Sequence, residues 1–313
     1  MRVFLTGISG YLGTILAEQL SDVPEIEEIT GIDMAPYLGP LPKKVRLVKL
    51  DIRSPEITSV MKGHDVVVHT AFMVTRLGRM PKLVRDDLNI NGAGNMARAA
   101  IANKVRRFIY PSSYAAYDPI LARGQSDVTE DFPIGKGDSF SYYCNAKAVT
   151  ERIFSETIPQ EGITLTIFRP IYVMGPNNRT IIPLVRSNFF RLVRSDPRSQ
   201  YVHEVDAAAA FKQAVLTDMP GAYNLSPNDF LHLSDVHRLL GIRKTPILPV
   251  GVARFAVYAN RNFHWSPQQT WLTIMLEDSP TLDNAKLKAT GWTPTYNCSE
   301  TLVEALKSPK AAH

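Results

Sequence analysis

Short apolar runs alternate with stretches whose apolar residues recur every three or four positions, from the first residues to about residue 170. Val3-Phe4-Leu5 is such a run, closed by Gly7, and predicts a buried strand. From Tyr11 to Leu20 the residues Leu12, Ile15, Leu16 and Leu20 share one helical face. Ile29–Asp33 and the alternating Val45–Leu50 predict two more strands. Ser54-Pro55 predicts the start of a helix, because a proline in the first turn loses no backbone hydrogen bond. Asp65–His69 predicts a buried strand, Lys82–Asn103 a long helix, Arg107–Tyr110 a strand, Ser141–Thr157 a helix and Thr164–Phe168 a strand. Strands alternating with helices in this way predict an α/β fold built on a doubly wound parallel sheet.

Past Arg169-Pro170 the pattern breaks. Pro176, Pro183, Pro197, Pro220, Pro227, Pro246 and Pro249 punctuate shorter elements, which predicts a smaller C-terminal lobe packed on the first. The expected division is 1–170 for the large sheet domain, with a returning segment near 201–220, and 171–313 mostly for the small α/β lobe. Phe255, Tyr258 and Trp271 fall at helix-like spacing between Phe255 and Leu276, a pattern that predicts core packing.

Composition narrows the classes. The 313 residues are 45% hydrophobic and 21% charged, ordinary globular values. The net charge of +5 is spread in short pairs such as Lys43-Lys44 and Arg106-Arg107, so neither nucleic acid nor a membrane surface is expected as partner. Cys144 and Cys298 are too few for a disulfide framework and suit a reducing, cytoplasmic setting. The opening residues lack the apolar length and cleavage site of a secretion signal, and no window approaches a membrane span. The seven histidines show no metal-ligand spacing, so no metal is expected, and His69 and His203 are read as satisfied structural residues. There is no Gly-x-Ser-x-Gly elbow of a hydrolase.

Two motifs carry chemistry. Gly7-Ile8-Ser9-Gly10-Tyr11-Leu12-Gly13 lies between the first strand and the first helix. There, unpaired helix N–H groups and the helix dipole favour a pyrophosphate, and glycines let the backbone approach it. Asp33 ends the second strand about 20 residues past Gly13, the distance expected of a ribose ligand. A carboxylate there accepts hydrogen bonds from ribose hydroxyls and repels a 2′-phosphate, and Met34 and Ala35 follow where an arginine would serve one; NAD is expected over NADP. The second motif is Tyr143-Cys-Asn-Ala-Lys147, a tyrosine and a lysine one helical turn apart. Such pairs arise often by chance; position selects this one, on the helix after the strand that ends in Ser112-Ser113. A nearby ammonium is expected to lower the tyrosine's pKa towards a value useful in proton exchange.

The loop spacing, Gly-x-x-Gly-x-x-Gly, resembles that of the extended short-chain dehydrogenase/reductase family, of the NAD-dependent epimerase/dehydratase kind. Further residues match it in order: Asp51-Ile52, His69-Thr70-Ala71, Asn89-Ile-Asn-Gly92, Arg169-Pro170-Ile-Tyr-Val-Met-Gly175-Pro176, Tyr201-Val-His-Glu-Val-Asp206 and Gly291-Trp292-x-Pro294. The resemblance implies a Rossmann-type domain carrying a substrate lobe, a homodimer and a small-molecule substrate. It implies that Gly7, Ser9, Gly10, Tyr11, Leu12, Gly13, Asp33, Asp51, Ile52, Thr70, Ala71, Phe72, Asn89, Tyr143, Lys147 and Pro170 line the NAD site. It also implies a catalytic Ser113, Tyr143 and Lys147; Ser113 is preferred to Ser112 because the family's Ser-x-x-x-Tyr segment fits Ser113 and Tyr117. Met73, Val74, Ser113, Tyr114, Tyr143 and Tyr172 are the expected substrate residues. Leu83, Leu88, Met96 and Ile153 are the expected apolar contacts of a dimer.

The sequence departs from the sugar-nucleotide enzymes of that family. Dehydratases place an Asp-Glu pair where Tyr114 and Ala115 stand, so elimination of water lacks its proton carriers. Tyr172 replaces the usual asparagine, and Glu277-Asp278-Ser279-Pro280 stands in place of Arg-Pro-Gly-Asp; Arg179, Arg186, Arg194 and Arg198 remain to hold a diphosphate. An NAD-dependent oxidoreductase acting on a secondary alcohol or ketone is therefore expected, with a nucleotide-sugar epimerase that retains NAD as the alternative.

Overall fold

The computed structural model describes residues 1–73, 82–138, 141–178, 191–192, 196–241, 247–248 and 279–307. The Phe255–Leu276 stretch, Val74, Arg179, Arg186, Arg194 and the Glu277-Asp278 pair lie outside them.

Strands β1 (Arg2–Thr6), β2 (Glu28–Asp33), β3 (Val45–Lys49), β4 (Val66–His69), β5 (Arg107–Pro111) and β6 (Thr164–Pro170) follow the apolar runs. Between them lie α1 (Tyr11–Ser21), α2 (Ile57–Val60), α3 (Lys82–Asp86), α4 (Gly92–Ala102) and α5 (Tyr142–Thr157). Later come β7 (Tyr172–Met174), the two-residue β8 (Arg191–Leu192), β9 (Arg198–Ser199), β10 (Tyr201–His203), α6 (Glu204–Leu216) and β11 (Gly221–Leu225). β12 (Leu231–His232), α7 (Leu233–Leu239), β13 (Ile247–Leu248), α8 (Ala285–Lys288) and α9 (Cys298–Leu306) complete the described elements.

Seven strands form one sheet in the order β11-β6-β5-β4-β1-β2-β3, every pair parallel. This is the doubly wound α/β sheet the alternation predicts. Side chains of successive strand residues point to opposite faces, and they divide into two cores accordingly. Val3, Leu5, Val66, Val68 and Phe168 join the core under α1 and α6. Phe4, Val67, Leu165 and Ile167 join the core under α2, α4 and α5.

Two helices differ from expectation. The helix announced by Ser54-Pro55 is only the single turn Ile57–Val60, because Gly63 at φ +78° ends it and β4 begins at Val66. The Lys82–Asn103 stretch is interrupted by a π-helical segment, Asp87–Asn91, which turns Asn89 into the interior.

The chain leaves β1 towards β2 on one side, while β4 pairs on the other. The order reverses between β1 and β4, and a crevice opens beyond the carboxyl ends of strands at such a point. The ends that meet there bear the glycine loop, the Thr70–Met73 segment and the Ser112-Ser113 turn.

Candidate active site

The glycine loop fits a dinucleotide. Gly7 adopts φ +71°, and a Cβ on it would stand 2.6 Å from the Ala71 nitrogen. A Cβ on Gly13 would lie 2.1 Å from the Gly7 oxygen, so helix and loop pack at a distance only glycine permits. Gly10 precedes α1 and supplies no side-chain cap, which leaves the first-turn amides of Tyr11, Leu12 and Gly13 for an anion. Asp33 accepts from Ser9 N at 3.0 Å and Ala35 N at 2.9 Å, one bond to each carboxylate oxygen. A second lone pair on each remains for ribose hydroxyls.

The opposite wall is built from the tail of β4. Thr70 Oγ1 donates to the Thr6 carbonyl at 2.6 Å, and Ala71 N donates to Thr6 Oγ1 at 3.2 Å. Asn89, carried inward by the π segment, accepts from Met73 N at 2.7 Å and donates to Met73 O at 3.0 Å. It therefore reaches the cofactor side by pinning Met73. Asp51 is bound by the Arg53 guanidinium at 2.6 Å and 3.0 Å, and the Ile52 side chain lies against Gly92. Pro170 is buried at the end of β6.

Tyr143 and Lys147 lie one turn apart on α5, as their spacing predicts, and Ser113 stands beside Tyr143. Ser141 caps α5, accepting from Cys144 N, and the first turn then presents Tyr143 towards the Ser112-Ser113 turn. The Ser113 side chain faces the Tyr143 phenol. Burial pushes that phenol up to about 12, and Ser113 pulls the other way. The expected lowering by lysine is not found. Lys147 Nζ lies 6.0 Å from the Tyr143 ring centroid, over the Phe72 ring at 3.9 Å, and donates to the Pro111 carbonyl at 2.7 Å. Burial also pushes Lys147 down to about 7, so its ammonium is a weaker electrostatic partner at neutral pH.

Tyr114 and Tyr172 stand beside this centre and share a hydrogen bond of 2.6 Å between their hydroxyls. Both are buried, and burial raises both phenols, so they are neutral. Arg198 is engaged elsewhere, donating to Ser126 Oγ and the Gly124 carbonyl.

Several site residues escaped the sequence reading. Tyr110 lies under Lys147 with its hydroxyl 3.4 Å from Nζ. Glu151 continues the Tyr143–Lys147 row by one more turn, a signal present in the spacing. Tyr11 OH donates to Glu204 at 2.5 Å, and Asn177 Nδ2 donates to the same carboxylate at 2.7 Å, tying the glycine loop to α6 and the chain after β7. His203, expected to be satisfied, is so only in part. Its Nδ1 accepts from Val205 N and caps α6, whereas Nε2 is buried with no partner among the described residues; the ring stacks on Tyr296 at 3.8 Å.

Among the described residues no cluster of histidine, cysteine and acidic groups could hold a metal, and no helix is long and apolar enough to cross a membrane.

Comparisons with known proteins bear on the family and the fold. The sequence model of the NAD dependent epimerase/dehydratase family matches residues 3–226. An uncharacterized protein of Mycobacterium tuberculosis is 30% identical over 277 residues, covering 82% of this chain and 69% of that one. A 2-alkyl-3-oxoalkanoate reductase of Shewanella oneidensis is 27% identical over 194 residues, 59% of this chain and 48% of that one. Among solved structures, UDP-glucuronic acid 4-epimerase from Bacillus cereus in complex with NAD shares the fold, with TM-score 0.73 and 18% identity over 97% of both chains.

Proposed function

Because the chain belongs to the NAD dependent epimerase/dehydratase family, and is thus an enzyme that uses NAD, we propose that it transfers hydride between NAD and a secondary alcohol or ketone. NAD, when bound, supplies the site that accepts or returns hydride. Gly10 to Gly13 would hold its pyrophosphate and Asp33 its adenosine ribose, with Thr70, Ala71 and Phe72 on the opposite wall. Asp33 would also set the preference for NAD over NADP.

Tyr143 is the proton-exchanging group. With its phenol pushed up to about 12, it is protonated at neutral pH and ready to give a proton to a carbonyl oxygen. In the oxidation direction the same oxygen must first release its own proton to solvent, and as phenolate it then takes the proton of the alcohol. Ser113 orients Tyr143 and donates to the substrate oxygen as charge develops there. Lys147 steadies that charge from below.

The observation that carries the choice of substrate is the Tyr114–Tyr172 hydroxyl pair at 2.6 Å. At the positions where carboxylates or an amide would serve a sugar nucleotide, two phenols share a hydrogen bond, and Ser279 is a further partner of Tyr172. A wall of this kind suits an alcohol or ketone of low polarity, because a charged diphosphate left unpaired against it is costly to desolvate. The Shewanella relative, named for reduction of an oxoalkanoate, is consistent with a ketone at this centre.

A panel of secondary alcohols and ketones, followed by NADH absorbance, tests this together with thermal shift by UDP-glucose, UDP-galactose and UDP-glucuronate in the presence of NAD. Net NADH formation from an alcohol, with no stabilisation by the UDP-sugars, is expected. Stabilisation by one UDP-sugar, with interconversion of the sugar and no net NADH, would overturn the reading in favour of an epimerase.

A further inference from the structure

Tyr143, Lys147 and Glu151 occupy successive turns of α5, so one helix face presents phenol, ammonium and carboxylate in a row. Glu151 is 3% exposed. One of its oxygens accepts from Arg169 Nε at 3.0 Å and Nη2 at 2.6 Å; the other accepts from Ser112 Oγ at 2.5 Å. The remaining nitrogen of Arg169, Nη1, donates to Tyr117 OH at 3.0 Å and to the Glu130 carbonyl at 2.8 Å. Ser112 sits between Pro111, whose carbonyl takes Lys147 Nζ, and Ser113, whose hydroxyl meets Tyr143. A single hydrogen bond therefore ties the carboxylate to the turn that bears a polar partner of each catalytic group.

Resting on the Ser113–Tyr143–Lys147 reading of the centre, we propose that Glu151, fixed by Arg169, is a positioning residue of the reaction. It holds the Pro111–Ser113 turn in register with α5 and supplies the negative charge that favours the ammonium form of Lys147.

A buried ion pair by itself is weak evidence for stability, since apolar side chains of similar volume often serve as well. What marks this pair is the lysine beside it. The groups facing Lys147 are Tyr110 and the Pro111 carbonyl from β5, His69 from β4, Phe72 from the segment after β4, and Tyr143 and Glu151 from α5. Arg169 lies beyond Glu151 on β6. Burial raises Tyr110 and Tyr143 and lowers His69, so all three are neutral near pH 7. That leaves Glu151, among the described residues, as the anion acting on Lys147 and opposing the effect of its burial. Glu151 and Arg169 also line a groove of about 570 Å³ at the β6–β11 edge, with Ser155, Ile167 and Ala222.

The test titrates Lys147 in the full chain carrying [ε-¹³C]lysine, its NMR signal assigned by loss in Lys147→Arg. Glu151→Gln and Arg169→Met break the same ion pair, and a purely structural role moves the lysine the same way in both. The positioning role expects opposite movements: the Lys147 midpoint falls by about one pH unit in Glu151→Gln and rises in Arg169→Met, where the carboxylate is released towards it. Glu151→Asp, which keeps the charge, stays close to wild type. Movement in one direction in both variants, or none in either, would overturn the proposal. If Glu151→Gln does not fold, Arg169→Met decides: a rise supports the role and a fall or no change overturns it. No substrate enters this measurement, so failure to find an NAD-linked reaction is separable from failure of the positioning role.

Discussion

His69 shows how one residue reports the state of the site. It ends β4 with 1% exposure, bonded through Nδ1 to Thr6 Oγ1 at 2.8 Å and packed among Phe108, Tyr110 and Phe154. Burial first, and the charge of Lys147 second, push it down to about 3. The unfolded chain takes up this proton near pH 6.5 while the folded protein does not, so stability is lost as pH falls from about 6.5 towards 3. Between pH 7 and pH 5 this one group removes about 2 kcal/mol. His64 is lowered by burial too and adds to the same slope, so the contribution of His69 is the difference between proteins. Urea unfolding of wild type and His69→Gln at the two pH values measures it. The variant should lose about 2 kcal/mol less; equal losses would show that His69 titrates normally in the folded state. The Tyr143–Lys147 pair, proposed as catalytic, was readable at this scale because helical spacing sets it. The resting partners of Lys147 were not, because Pro111 and Phe72 are brought to it by two other strands.

At the scale of elements, the alternation of apolar and polar positions locates each strand of the sheet up to β6 within a residue or two at either end. Periodicity failed where backbone geometry, with little change in side-chain pattern, alters the path. The π segment at Asp87–Asn91 leaves the apolar rhythm of Lys82–Asn103 nearly intact, yet it turns Asn89 onto Met73. The Arg169–Glu151 clamp was equally hidden, because it joins β6 to α5 across the core, and only Glu151 had a local signal. The helices bear also on assembly. Met96, one of the expected dimer contacts, is wholly buried in the core under α4, since its face of the helix meets the sheet. Leu83 is 81% exposed and Val84 40% exposed on α3. A twofold dimer through α3, α4 and α5 would cover them. Sedimentation at micromolar concentration should find a dimer that Leu83→Glu weakens; a wild-type monomer would count against this assembly.

The whole molecule joins these pieces at the point where strand order reverses. β1 delivers the glycine loop, β2 Asp33, β4 the Thr70–Met73 wall, β5 the Ser112-Ser113 turn and β6 Arg169, all from one edge of the sheet. Beyond the sheet, β7 carries Tyr172 against Tyr114, so the chain after β6 closes the site over Tyr143. The motif order made this arrangement legible, because each motif falls just past the carboxyl end of its strand. The substrate wall was legible only as substitutions; that the two phenols bond each other required the structure. The central claim is that Tyr143 exchanges the proton in an NAD-linked reaction. Turnover of the best alcohol or ketone by wild type and Tyr143→Phe, with NAD affinity measured by calorimetry on both, tests it most directly. The account expects turnover to fall by about two to four powers of ten while NAD binding is nearly unchanged; full turnover in Tyr143→Phe would contradict it.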